Sequence, residues 1–295
     1  MTMDDVLSIP ADTQAFDVLM PPAQTVPLVL ASPHSGNDYP RDFVAASRLD
    51  LPTLRRSEDC FVDELFAGAI ERGAPLIRAR FPRAFIDPNR EPFELDPAMF
   101  DSPLPDYVNT GSPRVAAGLG TIAKVVASGE MIYRAKLKFA EARRRVEAFY
   151  NPYHQALAAL LLQTERRFGF AILLDCHSMP SVGGPMETDS GRGRVDFVLG
   201  DCHGRACART VTDTASGILT RLGYRVERNS PYSGGFTTQH YGRPDRHTHV
   251  LQIEVNRALY MDERHYRRGP HFARLADHLA GVVDGLGGLT LRYAA

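Results

Sequence analysis

The sequence predicts an α/β fold. Apolar runs of strand length alternate with segments of helical apolar spacing along the chain. Two of the strand-like runs also hand the chain directly to a histidine. Val26-Pro27-Leu28-Val29-Leu30-Ala31-Ser32 leads into Pro33-His34-Ser35-Gly36, and Phe170-Ala171-Ile172-Leu173-Leu174 leads into Asp175-Cys176-His177-Ser178. Open α/β sheets build their sites at the carboxyl ends of strands, which makes these two junctions the first places to look for chemistry.

The elements follow in chain order. After the strand ending at Ser32, apolar residues at 61, 62, 65, 66, 69 and 70 mark a helix over Glu58 to Ile70. Ser57 is its expected N-cap and Gly73 follows its end. Pro75 to Arg80 reads as the next strand, and Ala84-Phe85-Ile86-Asp87 as another, leading into Pro88-Asn89-Arg90. Residues 91–120 are rich in Pro, Gly and Asp and show no period, which predicts a long loop of the kind that often carries function. A helical region from about Tyr133 to Phe168 is expected to break or kink at Asn151-Pro152. Further strands are expected at 170–174, 195–199, 224–227 and 249–255, with a helix around 205–222 and a closing helix at 270–285. Gly183-Gly184 with Gly191 to Gly193, and Ser230 to Arg246, read as loops. With neither an internal repeat nor linker composition, the whole chain 1–295 is expected to form a single domain.

Bulk composition excludes several function classes. The net charge is -1, which offers no electrostatic case for nucleic acid or an anionic membrane as partner. No run approaches the roughly 18 apolar residues that span a bilayer. The start Met1-Thr2-Met3-Asp4-Asp5 lacks the basic-then-apolar order of a signal peptide, and four cysteines do not make a disulfide framework in a chain this long. A cytoplasmic protein is the expectation; oligomeric state is not legible.

His34 and His177 are the candidate metal ligands. Zinc hydrolases commonly use two histidines and one carboxylate, leaving a fourth position for a water whose pKa falls to about 7. The alternative for each histidine is a loop residue satisfied by backbone. Asp59 or Glu58 is the candidate third ligand, although a carboxylate at a helix start is also favoured by the helix dipole. Asp175 lies two residues before His177, so on an extended chain their side chains share a side. It is read as orienting the imidazole, contacting substrate, or capping loop amides.

Glu254 is embedded in the apolar strand pattern Gln252-Ile253-Glu254-Val255. Burying an unpaired carboxylate costs several kcal/mol. Glu254 should therefore pair with Arg257 or serve as a general base. Asn89 and Arg90 can bind a carboxylate, arginine doing so bidentately. Ser233-Gly234-Gly235, with His240 and Arg243, makes a glycine-rich loop that could approach a ligand closely. It lacks the strand-then-helix spacing of a phosphate-binding loop. Cys202-x4-Cys207 is a poor metal spacing, and Cys60 and Cys176 read as packing residues. Ser35 and Ser178 lack a Gly-x-Ser-x-Gly elbow.

With these residues in view, the chain resembles the N-formylglutamate amidohydrolase (deformylase) family over about residues 25 to 270. The resemblance is carried by Pro33-His34-Ser35-Gly36, Glu58-Asp59 with Val62-Asp63, Ile86-Asp87-Pro88-Asn89-Arg90, Gly118-Leu119-Gly120-Thr121-Ile122 and Ile132-Tyr133. It continues through Asn151-Pro152-Tyr153-His154, Leu174-Asp175-Cys176-His177-Ser178-Met179, Pro231-Tyr232-Ser233-Gly234-Gly235, Gln252-Ile253-Glu254 and Leu259-Tyr260-Met261. It implies a three-layer α/β/α fold with a mixed central sheet, similar to zinc carboxypeptidases. It also implies zinc-dependent hydrolysis of N-formyl-L-glutamate, an N-acyl amino acid, to formate and L-glutamate in histidine degradation. By resemblance the one divalent metal, zinc, falls to His34, Asp59 and His177, and the base to Glu254. Asn89 and Arg90 become the substrate-carboxylate clamp, with Arg90 alternatively a donor to the carbonyl oxygen. Asp175, Gly234, Gly235 and His240 are the further substrate-side candidates. The chain departs from the family at Glu58-Asp59-Cys60-Phe61, where a Thr-Asp-Trp-His run is expected. That departure bears on which acyl group and amino acid are accepted, and a deacylase for another N-acyl amino acid or a non-catalytic dicarboxylate binder are the alternatives.

Overall fold

Strand β1 (Phe16–Leu19) opens the described part of the chain in a computed structural model that describes residues 14–185, 187 and 189–291. The acidic start at 1–5 lies outside the described residues. The remaining strands of the main sheet are β2 (Leu28–Ser32), β3 (Leu76–Ala79), β4 (Ala171–Met179), β5 (Phe197–Gly200), β6 (Val226–Arg228) and β7 (Thr248–Asn256). They form a seven-stranded sheet in the order β1-β3-β2-β4-β7-β5-β6. Pairing is parallel from β3 through β2 and β4 to β7, and between β5 and β6, but β5 runs antiparallel to β7. The fold is α/β with a mixed central sheet. All five residues of β2 and all nine of β4 are buried, as parallel strands covered on both faces require.

The helices are α1 (Arg41–Ala46), α2 (Leu51–Leu54), α3 (Val62–Leu65), α4 (Pro113–Ala116), α5 (Phe139–Arg145), α6 (Asn151–Phe168), α7 (Arg209–Arg221), α8 (Phe236–Tyr241) and α9 (Phe272–Gly287). Contacts group the chain into two compact units. Among the described residues, one comprises 14–17, 34–58 and 79–155, and the other 18–33, 59–78 and those between 156 and 291. Among the described residues no helix is long and apolar enough to cross a membrane.

In the second unit, one face of the sheet packs Leu30, Leu76, Leu174, Cys176 and Ile253 against Val62 and Leu65 of α3, Val211, Ala215 and Leu219 of α7, and Leu275, Leu279 and Val282 of α9. Each fully buried aliphatic side chain of this kind contributes about 1.5–3 kcal/mol. Alternation along an extended strand then turns Asp175 and His177 to the opposite face. The first unit has its own core, in which Phe43, Phe81, Phe85 and Phe149 meet edge to face at 5.2–5.4 Å between ring centroids. The buried Arg145 guanidinium lies 4.1 Å from the Phe85 ring centroid and pairs with Glu141 at 2.8 Å.

Several local expectations change. The helix expected over 58–70 is only α3, followed by a 3-10 turn at Ala67–Ala69. Phe61 adopts a left-handed φ of 64°, with its ring against Phe272 and beneath the Arg268 guanidinium, so no helix can run through it. Ser57 therefore caps nothing here; its hydroxyl accepts from the Ala127 amide. Residues 84–87 form a turn rather than a strand, because Phe85 and Ile86 donate back to the Pro82 carbonyl. The long helix begins at Phe139 and passes through Pro152 instead of breaking. A π-helical segment, Val146–Tyr150, precedes the proline, and the Asn151 amide bonds Val146 five residues back. That register change accommodates the N–H that proline lacks. Strand β4 extends to Met179, past the expected end at 174, and the loop expected at 230–246 contains α8.

Candidate active site

The parallel pairing of β4 with β7 places Asp175 opposite Gln252 and His177 opposite Glu254. Paired residues on adjacent strands point the same way, so four polar side chains line one face while Leu174, Cys176 and Ile253 face the apolar cluster. The His177 ring is buried between two carboxylates. Nδ1 lies 3.1 Å from Asp59 Oδ2, and Nε2 lies 3.0 Å from Asp175 Oδ1. The second distance is that of an ion pair, although neither Asp175 oxygen receives a well-aligned hydrogen bond. Asp175 is thus not capped by loop amides. Burial disfavours charge on His177, yet Asp175, Asp59 and Glu254 outweigh it and push its pKa up.

Asp59 reaches this point from the turn before α3, with Oδ1 taking the Arg257 guanidinium at 3.0 Å. Arg257 also donates to Ser178 Oγ at 3.1 Å. On the neighbouring strand, Glu254 Oε1 accepts from Gln252 Nε2 at 2.8 Å. Glu58 is engaged elsewhere, accepting from Tyr39 Oη at 2.7 Å and from Arg55 Nε at 3.1 Å. Of the two adjacent carboxylates, Asp59 is the one set against His177.

His34 follows β2 by two residues, and Gly36 after it has no room for a side chain. A Cβ there would stand 2.2 Å from the Phe81 carbonyl oxygen. His34 Nε2 meets Asp87 Oδ1 at 2.7 Å. Asp87 is a buried hub, also accepting from the Asn89 amide at 2.8 Å and Arg83 Nε at 2.9 Å, with Arg90 at 3.6 Å. Burial alone would raise its pKa, but Arg90, His34 and Arg83 hold it well below the usual carboxylate range. Arg90 is itself buried, its Nε donating to the Leu119 carbonyl at 2.8 Å and Nη1 to the Asn89 carbonyl at 2.7 Å. Desolvation pulls its pKa down to about 10, with Asp87 working against that, so it is charged at neutral pH.

His34, Asp59 and His177 are all buried, and together they offer ligand atoms that could hold a metal ion. Two imidazoles and a carboxylate are a donor set that suits zinc. The surplus of buried carboxylates around His177 and the unsatisfied Asp175 oxygens fit a site completed by a cation. Carboxylates behind both rings, Asp87 on His34 and Asp175 on His177, match the way metal-bound histidines are oriented.

Residues 26–261 match the family model described as N-formylglutamate amidohydrolase. The chain belongs to the N-formylglutamate amidohydrolase family. It is 29% identical to the N-formylglutamate deformylase of Pseudomonas putida over 245 residues, covering 81% of this chain and 83% of that one. The corresponding Pseudomonas aeruginosa protein is 30% identical over 243 residues, covering 81% and 84%. The crystal structure of N-formylglutamate amidohydrolase from Ralstonia eutropha JMP134 superposes with a TM-score of 0.83 at 36% identity, covering 91% of this chain and 95% of that one. A gene product of Agrobacterium tumefaciens, Atu2144, shares the fold with a TM-score of 0.69 at 19% identity, covering 94% and 96%.

In this chain, Gly234 has a φ of 124°, and a Cβ on it would approach Cys202 Sγ at 2.8 Å and Thr238 at 2.9 Å. The Gly235 amide is spent on Gln252 Oε1 at 2.8 Å. His240 lies exposed near the end of α8, its ring stacked on Phe236 with centroids 4.8 Å apart. Sequence reasoning assigned no role to Asp87 or Gln252, and did not foresee the contact of Arg257 with Asp59. The only local signal for Asp87 was its place in Asp-Pro-Asn-Arg, directly before the proposed clamp.

Proposed function

We propose that this protein hydrolyses the N-formyl amide of N-formyl-L-glutamate to formate and L-glutamate, with one divalent metal, zinc, held by His34, Asp59 and His177. The observation that carries the reading is this buried His-Asp-His set, able to hold a metal ion and lying within the span that matches the family, in a chain whose relatives are named for that substrate. When bound, zinc would lower the pKa of a water to about 7 and polarise the formyl carbonyl. The chain's own residues do the rest. Glu254 takes the proton of the attacking water and returns it to the leaving nitrogen, a role suited to a carboxylate held by a neutral amide. Arg90, fixed by two backbone carbonyls and Asp87, and Asn89 beside it, hold a substrate carboxylate. Asp87 and Asp175 keep the two imidazoles in place, and the Gly234-Gly235 loop with His240 stands on the substrate side.

Glu254→Gln tests the mechanism. Elemental analysis should find metal retained, while formate release falls by about 10²–10⁴-fold, the usual cost of losing a general base. Near-wild-type turnover removes Glu254 from the mechanism. His34→Ala and His177→Ala should each lose metal; full occupancy in both sinks the site. A second reading, a deacylase for another N-acyl amino acid, draws on the departure at Cys60-Phe61. Formate release from N-formyl-glutamate, compared with hydrolysis of N-acetyl- and N-succinyl-amino acids, separates the two.

A further inference from the structure

We infer that Gln252 is the positioning residue of Glu254, transmitting a fixed loop geometry onto that carboxylate. The inference rests on the reading of Glu254 as the base. The loop is pinned first. Gly200 ends β5 without a side chain, and a Cβ there would meet the Gly234 nitrogen and the Ser233 carbonyl carbon at 2.8 Å. Ser233 in turn accepts from the Cys202 amide at 2.7 Å. The Gly235 amide is thereby presented to Gln252 Oε1 at 2.8 Å, with Thr238 Oγ1 3.5 Å from the same oxygen.

A backbone N–H can only donate, so it fixes which end of the Gln252 amide is oxygen. The NH2 end must then face the other way, and it donates to Glu254 Oε1 at 2.8 Å. Gln252 is 4% exposed, leaving its amide little freedom to swing. The chemistry of the donor matters as much as its position. An arginine or lysine beside a carboxylate lowers its pKa by about 1–3 units and weakens it as a base. A neutral amide orients the carboxylate without itself adding a positive charge beside it, whereas Arg257, three residues on, donates to Asp59 and Ser178. Glutamine at 252 thus aims the carboxylate through a fixed amide.

The test compares Gln252→Glu and Gln252→Met in the metal-loaded protein. Gln252→Glu keeps the shape and the acceptor for Gly235 but sets an oxygen against Glu254. Gln252→Met keeps the length and removes both bonds, without adding charge. Each should lower kcat about 10–100-fold, the range for partners that orient active-site groups, with KM changed less than about twofold and metal content unchanged. A purely structural role would lower thermal stability without this split. Wild-type kcat in either folded, metal-loaded variant overturns the inference, as does a loss confined to KM. Glu254→Gln run in parallel keeps the two readings apart. If it is inactive while the Gln252 variants turn over normally, only this inference fails. If Glu254→Gln is itself active, the base reading fails and this inference falls with it.

Discussion

Asp87→Asn is the substitution whose consequences the structure specifies most fully. The side chain is 3% exposed, and its two oxygens serve His34 Nε2, the Asn89 amide and Arg83 Nε, with Arg90 at 3.6 Å. Asparagine keeps the volume and one acceptor. Its NH2 must then face either the His34–Asn89 side or the Arg83–Arg90 side, where only donors wait. Hydrogen bonds to charged groups contribute about 1.5–3 kcal/mol each, and an uncompensated buried charge, here Arg90, costs about 3–5 kcal/mol. A net loss of about 3–5 kcal/mol is expected, or a fall in Tm of roughly 6–20 °C at 2–4 °C per kcal/mol. Zinc affinity should drop about 10–100-fold as the His34 ring loses its orienting partner.

The pH dependence gives the same substitution a second readout. The folded pKa of Asp87 is depressed well below the usual value, so its stabilisation is fully present above the ordinary carboxyl pKa of about 3.9. It is lost as pH falls through the folded value. The Tm gap between wild type and Asp87→Asn should be widest near neutrality and narrow below about pH 4. Thermal melts across that range and chelator competition for zinc measure both effects. A variant melting within a degree or two of wild type with unchanged zinc affinity would refute the hub role.

Two further substitutions test the scaffold. Gly36→Ala drives a Cβ into the Phe81 carbonyl oxygen at 2.2 Å and the Arg80 carbonyl carbon at 2.6 Å, backbone atoms that cannot step aside. It should cost about 1–3 kcal/mol or more and reduce metal content at His34 two residues upstream; wild-type stability and occupancy would remove the close approach. Cys176 packs in the apolar cluster, and burial, with Asp175 adding to it, pushes its thiol pKa well up. Cys176→Ala should keep kcat within about twofold at a stability cost of about 1 kcal/mol, and iodoacetamide should leave the native protein active. A collapse of kcat would make that thiol a participant.

What the sequence determined by itself is what repeats at short range. The continuous apolar runs at 28–32 and 171–174 could only be buried strands, and the two-residue period put Asp175 with His177 and turned Cys176 away from them. That parity, with the family blocks, was enough to nominate His34, Asp59, His177 and Glu254. It could not place the start of α3, because Phe61 is held left-handed by contacts with Arg268 and Phe272, some two hundred residues on. Spacing alone could not choose Asp59 over Glu58, adjacent residues that face Arg257 and His177 in one case and Tyr39 and Arg55 in the other. Nor could it see that Asp87 holds His34 or that Arg257 belongs to Asp59. Those partners lie 53 and 198 residues apart. Which buried charges meet depends on strand register and loop path, and only the tertiary structure decides those.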